Sequence, residues 1–260
     1  MYADRTNDYA TPLHLMQLHH YRFRPKAIPT LAAMMALPVL IAFGQWQSSK
    51  AEKKQALQDT YDARTAQQVV RVTPEIVDAE IFRYKKVIVQ GRYNAAHQIL
   101  QDNRVHNEQA GYHVITPFQI ENSNHYVLVN RGWIPLGRGR TELPQIDTPT
   151  ETQEITGIAV TPPSKIYELK APEPLNKNWQ VVWQNIDLKR YSDAAPFQVQ
   201  PIIIQLDEAV PGGFVREWPR PDNRIQTHLG YAFQWYGMAV MLAIFYIATS
   251  FKKTGNNNHE

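Results

Sequence analysis

The sequence predicts an α+β membrane protein in which two transmembrane helices flank an extracytoplasmic, mainly antiparallel β domain, barrel-like or a sandwich. Three observations predict it. Residues 27–44 and 229–251 contain no charged side chain, and the second stretch reaches about 34 Å as a helix, enough to cross a hydrocarbon core of roughly 30 Å. The polar middle breaks into short β-branched and aromatic runs separated by Gly, Asn and Pro. The formal surplus of +3 rests on the ends, where Arg5, Arg22, Arg24, Lys26, Lys252 and Lys253 face Asp4, Asp8 and Glu260. The middle is therefore neutral, and short basic ends suit the cytoplasmic side of a membrane.

These observations divide the chain into a cytoplasmic tail (1–26), a first transmembrane helix (27–46), a β-rich extracytoplasmic domain (47–226), a second transmembrane helix (227–251) and a cytoplasmic tail (252–260). The first tail carries His14, His19 and His20, which suit a solvated juxtamembrane segment better than a metal site. Asp4 and Asp8 argue against a mitochondrial presequence and favour a bacterial chain. The 27–44 stretch exceeds the apolar core of most signal peptides and lacks a small-residue cleavage site, so it reads as a retained anchor bent at Pro38. Trp46 marks the far interface. Lys50, Lys53, Lys54 and Arg64 follow that crossing closely, so charge counts beside the helix lean to both ends inside without fixing the orientation.

Residues 47–68 mix Lys and Glu with sparse apolar positions and read as a solvent-facing extension of the first helix. Seven runs then read as strands: KKVIVQGRYN, LQDNRV, YHVITPFQI, HYVLVNRGWIPL, TQEITGIAV, QVVWQNID and QPIIIQLD. Tyr112 to Val129 forms an antiparallel hairpin around the Glu121–Asn124 loop. Few gaps between runs are long enough for a crossover helix, which favours antiparallel pairing. Residues 72–83 and 187–195 suit short helices. Pro172 to Pro174 and Pro211 to Gly213 mark loops, Pro219 and Pro221 stiffen the approach to the second crossing, and GNNNHE at the end reads as disordered.

Composition excludes several functions. There is no cysteine, hence no thiolate ligand, disulfide or thiol redox chemistry. No nucleophile elbow, HExxH or phosphate-cradling GxxxxGK occurs, and the neutral middle offers nucleic acid no basic face. Met34, Met35, Met238 and Met241 lie inside the crossings rather than in an exposed copper-binding cluster. His97, His106, His113 and His125 are scattered through the strands. Leu136 to Arg140, LGRGR, sets two arginines beside glycines, suited to an anion or to a solvated turn. VLVNRGWIP, Val127 to Pro135, ends a strand in a guanidinium, a permissive backbone position and a large ring, which reads as structural.

His228 differs, because it sits where the chain passes from polar to apolar. Tyr231 and Trp235 follow it on one helical face and would stack below the imidazole. The same residues, with Tyr236, also suit an interfacial aromatic belt, with Thr227 and His228 capping the helix.

FGQWQSSKAEKK after the first crossing, GRYN at Gly91, DNR at Asp102, GYHVITPF at Gly111, VLVNRGWIP at Val127, VVWQNID at Val181 and HLGYAFQWYG at His228 occur in order. Together they resemble the surfeit-locus-one family of cytochrome oxidase assembly proteins, over residues 43 to 250. The resemblance implies a bacterial inner-membrane protein of two crossings, with both termini cytoplasmic and a periplasmic middle domain. It implies a non-enzymatic assembly factor for cytochrome c oxidase that binds haem a transiently and assists its insertion into subunit I. Its partners would be subunit I, the haem a synthesis machinery and the lipid bilayer. His228 occupies the position of the family's axial haem ligand; where the pattern often has Asn before it, this chain has Thr227. Tyr231 and Trp235 would wall the porphyrin, and Arg224 would meet a propionate, with Arg216 and Arg220 as further candidates. The alternative is a membrane-anchored scaffold that grips an oxidase assembly intermediate without binding haem.

Overall fold

A computed structural model describes residues 21–137, 142–162, 179–220 and 224–253. The expectations for His14, His19, His20, Arg138, Arg140, Pro172 to Pro174, Pro221 and the GNNNHE end lie outside the described residues. The chain forms two compact units, one from Met1–Lys54 with Asn223–Glu260 and one from Gln55–Asp222.

The first unit is a helical hairpin. Strand β1 (Tyr21–Phe23) leads into helix α1 (Ala27–Thr65), which runs through Pro38 although proline removes one intrahelical donor. The charged stretch after Lys50 continues the same helix, as its helix-forming composition predicts. Helix α4 (Ile225–Ser250) returns to strand β10 (Phe251–Lys253), and β10 pairs antiparallel with β1, Tyr21 opposite Lys253 and Phe23 opposite Phe251. The two flanks of the hairpin therefore lie at one end of it. Both helices are long and apolar enough to cross a membrane, and most of their large apolar side chains face outward, Ile28, Met34, Phe233 and Met241 among them.

The second unit is a β-barrel-like sheet. In chain order it comprises β2 (Val70–Arg71), α2 (Ala79–Phe82), β3 (Lys86–Tyr93), β4 (Ile99–His106), β5 (Gln109–Ile120), β6 (His125–Pro135), β7 (Gln153–Val160), β8 (Val182–Trp183), α3 (Leu188–Ala194) and β9 (Gln198–Leu206). The sheet order is β2-β3-β7-β9-β6-β5-β4-β8, and an added β3–β5 pairing closes a ring through β3, β7, β9, β6 and β5. Closure removes the exposed edges that an open sheet of this size would carry.

Most ladders are antiparallel, the β5–β6 hairpin included. Three are parallel: β2–β3, β4–β8 and β6–β9. The β6–β9 pairing departs from the antiparallel expectation. A parallel pair needs a long crossover, and here the connection that holds β7 and α3 takes the place of a crossover helix. QVVWQNID also forms less strand than expected: β8 is Val182–Trp183 alone, because Trp183 and Ile186 turn into an aromatic cluster with Tyr191 and Phe197.

Strand β6 is buried from Tyr126 to Ile134. Its two-residue period sends Val127 and Val129 into the barrel interior with Val89, Phe118, Ile155 and Ile204, while Tyr126 and Leu128 pack outside with Ile115, Tyr191 and Phe197. A strand covered on both faces reads as a continuous apolar run, which VLV does.

At the end of that strand Arg131 is 1 % exposed. Its Nη2 donates to the carbonyls of Asp147 and Gly212, both at 2.8 Å, and its Nη1 to Thr148 Oγ1 at 3.1 Å. The guanidinium also lies over the Tyr93 and Phe214 rings. Burial pushes its pKa down, yet an arginine stays charged. Gly132 has φ of 122°, and a Cβ there would meet the Val215 carbonyl at 2.7 Å. The close approach lets Trp133 and Val215 exchange backbone hydrogen bonds of 2.7 and 3.1 Å. The corner thus serves structure, as the sequence suggested, by tying two loops to one strand.

Replacing Arg131 by Ala strands those carbonyls in a dry site and should destabilise the β unit by about 3 kcal/mol, lowering its thermal midpoint by roughly 10 °C in a near-ultraviolet circular-dichroism melt. Arg131→Lys should recover less than half, because one ammonium cannot fork between two loops.

His113, on β5, shares a hydrogen-bond contact of 3.2 Å between its Nδ1 and Asn130 Nδ2. Burial, and then the Arg104 charge, pushes its pKa down from 6.5 to about 4. The unfolded chain therefore takes up this proton first as pH falls, so the stability of the neutral buried imidazole is complete above about pH 6.5 and is lost progressively toward about pH 4. His113→Gln should flatten the decline of the melting midpoint between roughly pH 6.5 and 5, above the range in which ordinary carboxylates titrate.

Candidate functional site

The helical hairpin is held by contacts whose partners climb along α1 as they descend along α4. Thr30 Oγ1 lies 2.9 Å from Tyr246 Oη. Phe43 stacks on Trp235, with centroids 4.8 Å apart and planes 24° off parallel. A Cβ on Gly44 would sit 2.6 Å from Tyr236 Cε1, so glycine is what lets that ring close onto α1. One turn further, Gln47 Oε1 lies 2.8 Å from His228 Nδ1. Phe43, Gly44 and Gln47 share a face of α1 at helical spacing, and His228 and Trp235 share the facing side of α4.

The last contact fixes the chemistry of the imidazole. An amide oxygen only accepts, so Nδ1 carries a proton, and in the neutral ring the lone pair then lies on Nε2. The ring is partly buried, and its orientation is set by a hydrogen bond from the neighbouring helix. A neutral imidazole whose far nitrogen is held by an amide oxygen is the form in which histidine ligates a metal. Among the described residues no three His, Asp or Glu side chains converge on one point.

The other expected site residues are placed less uniformly. Trp235 does not stack below the imidazole: its partner is Phe43, which covers one of its faces. Tyr231 is 50 % exposed, and no described ring stacks on His228. Both remain on α4 within two turns of the histidine. Arg224 is the exposed N-cap residue of α4, and its carbonyl accepts from His228 N at 3.2 Å. The capping role considered for Thr227 and His228 does not hold, because the helix begins at Ile225 and both lie inside its first turn.

Arg216 is corrected more firmly. It is buried in the β unit, its guanidinium donates to the Asp207 carbonyl, and burial pushes its pKa down. It serves the loop after β9. Arg220 is exposed and lies 3.9 Å from Asp62.

Gln47 is the residue that sequence reasoning missed. It was assigned to the solvent-facing extension, whereas it closes the contact face begun by Phe43 and Gly44. The signal was a polar side chain one turn beyond a glycine, on the face of α1 that Phe43 and Gly44 share.

Comparison with known proteins agrees with the motif order. The model of the SURF1 family matches residues 34–240, which includes Gln47, His228 and the whole described sheet. A SURF1-like protein of Rickettsia felis is 27 % identical over 84 % of this chain and 94 % of its own length. The Surfeit locus protein 1 of Xenopus tropicalis is 25 % identical over 79 % of this chain and 70 % of its own length. The cytochrome oxidase assembly protein SHY1 of Saccharomyces cerevisiae is 26 % identical over 69 % of this chain, which spans 48 % of that longer relative. With a match that runs from within α1, through the whole β unit, into α4, the chain belongs to the SURF1 family.

Proposed function

We propose that this protein is a non-enzymatic assembly factor for cytochrome c oxidase, which holds haem a transiently at His228 and assists its insertion into subunit I. The observation that carries the reading is the Gln47–His228 hydrogen bond of 2.8 Å. It orients the ring at the head of a helix long enough to cross a membrane, so that the neutral imidazole offers Nε2 as its free lone-pair nitrogen. The names of relatives such as the yeast assembly protein supply the process.

The chemistry of the cargo fits this placement. Haem a is a large apolar macrocycle with a hydrocarbon tail, so transfer within the bilayer is favoured over transfer through water. His228 would ligate the iron, Tyr231 and the free face of Trp235 would flank the ring, and Arg224 would meet a propionate at the head of the helix. The bound iron would supply an electrophilic centre for one imidazole. A single protein ligand leaves the cargo exchangeable, as a temporary holder requires.

In this reading the protein lies in a bacterial inner membrane with two crossings, both termini in the cytoplasm and the β unit in the periplasm. The β1–β10 pairing supports termini on a common side. The rival scaffold reading draws on the same hydrogen bond, since Gln47–His228 also serves as a tie between two helices.

Co-expression with haem a synthesis, followed by purification in detergent and absorption spectroscopy, separates the two. His228→Ala should lose the haem spectrum. Gln47→Leu should retain haem about tenfold or more weakly, because the imidazole loses its orienting partner. A colourless wild-type protein, together with unchanged oxidase yield from His228→Ala, would leave the scaffold.

A further inference from the structure

A cleft of about 200 Å³ opens in the β unit, and its lining residues all belong to that unit. It is lined by the segment Asn103–His106 of β4, His113 of β5, Trp133 of β6, and Val215 and Glu217 to Pro219 of the strap. Three of the stretches that carry the family resemblance meet there: DNR through Arg104, GYHVITPF through His113 and VLVNRGWIP through Trp133. Nothing in the proposed haem chemistry uses them.

The backbone is arranged to aim these side chains. The β4–β5 register shifts between Gln101 and Arg104, with Asn103 at φ of 57°, and the β5–β6 register shifts between His113 and Ile115. Bulges of this kind turn side chains away from the regular pleat and recur beside binding sites. Trp133 Nε1 donates to the Arg104 carbonyl at 2.9 Å and ties the wall of the cleft across β5 to β4. The Trp218 ring lies 5.6 Å from His113, and the His106 ring 5.1 Å from Trp133.

Arg104 is the telling residue. It is partly buried, its Nε is inaccessible to water and lacks a hydrogen-bond partner, and no described carboxylate lies within ion-pair distance of its guanidinium. A half-buried cation without a counter-charge is unfavourable unless an anion joins it. His113 adds a donor: Asn130 Nδ2 occupies its Nδ1, so the proton is on Nε2. The sole carboxylate in the lining is Glu217, at the exposed rim, 3.9 Å from His106 Nδ1.

We propose that this cleft binds a carboxylate carried on a flat apolar group, with Arg104 and the His113 Nε2–H as its donors and Trp133 and Trp218 as its walls. A monoanion balances one guanidinium, whereas a phosphate dianion would meet one cation and the Glu217 charge. The volume suits a group of about the size of a phenyl ring with a short acid arm. Two sources share this chemistry, a free aromatic acid and the carboxyl terminus of a protein chain ending in an aromatic residue. The site is independent of the haem reading, because its residues lie outside the hairpin and a failure at His228 leaves it untouched.

The test uses the full-length protein in detergent and isothermal titration calorimetry with 3-phenylpropionate, its amide, phenyl phosphate, and the peptide Gly-Gly-Gly-Phe with a free or amidated terminus. At least one free acid should bind saturably, with its amide about tenfold or more weaker. Binding of the small acid alone assigns the free-metabolite source, and tighter binding of the peptide assigns the chain terminus. Arg104→Gln should weaken the acid about tenfold or more, with Arg104→Lys intermediate. Glu217→Gln, on the exposed rim, should tighten the acid roughly twofold and leave the amide unchanged. This variant and the acid–amide comparison in the native protein keep the proposal testable if Arg104→Gln does not fold. Absence of saturable binding by both acids, equal binding of acid and amide, tighter binding of phenyl phosphate, or no effect of either Arg104→Gln or Glu217→Gln would overturn it.

Discussion

The helical hairpin depends on one polar pair placed where apolar contacts would otherwise suffice. Gln47 and His228 meet at 2.8 Å at one end of a face whose other contacts are the stacked rings of Phe43 and Trp235, the Gly44–Tyr236 approach and the Thr30–Tyr246 hydroxyl pair at the far end. Apolar side chains alone would let two helices slide or rotate against each other with little penalty. A half-buried amide and imidazole do not, because each left alone gives up part of its hydrogen bonding to water without replacement. Pairing them therefore fixes register, and it fixes the imidazole tautomer by the same contact. The architecture of the hairpin and the chemistry of its histidine are one constraint.

In the β unit the comparable role belongs to β6. Buried on both faces, it joins the barrel interior to the outer aromatic cluster and pairs with β5 on one side and β9 on the other. A strand so placed leaves nowhere for its end to fray. Arg131, Gly132 and Trp133 terminate it by three different means: a charge that binds loop carbonyls, a backbone angle that admits the 214–215 strap, and a ring whose N–H reaches the next strand but one. The cleft at Arg104 and His113 opens beside that termination, so the rigidity of its wall comes from the corner rather than from the cleft itself.

Much of this was legible in the sequence because it is local. Period-two alternation located β3, β5, β6, β7 and β9, charge-free length located both apolar helices, and the NRGW corner announced a structural arginine. What was not legible is pairing at a distance. Nothing in the spacing of HYVLVN and QPIIIQLD states that they run parallel, since a strand has the same alternation beside either kind of neighbour. QVVWQNID looked like a strand because β-branched and aromatic residues also suit a turn into an aromatic cluster. Gln47 looked solvated because its helix becomes charged three residues later, and Arg216 looked available because burial of an arginine leaves no mark on its neighbours in sequence. For His228 the position was legible and the partner was not.

The polar residues at the two sites argue for function in a way that the core cannot. A barrel interior asks for apolar volume of roughly the right shape and tolerates many ways of supplying it. Gln47, His228, Arg104 and His113 contribute little such volume, and each brings a desolvation penalty that packing does not offset. The first pair resolves its penalty internally and leaves one nitrogen over. Arg104 does not resolve its own among the described residues, and His113 is kept neutral beside it. A nitrogen with a spare lone pair at the head of an apolar helix calls for an electrophile, and a guanidinium without a described counter-charge, in a cleft that two tryptophans also line, calls for an anion. The two sites therefore differ in the sign of what they lack. Two separate ligands would make the β unit a binding module in its own right rather than a link between two apolar helices.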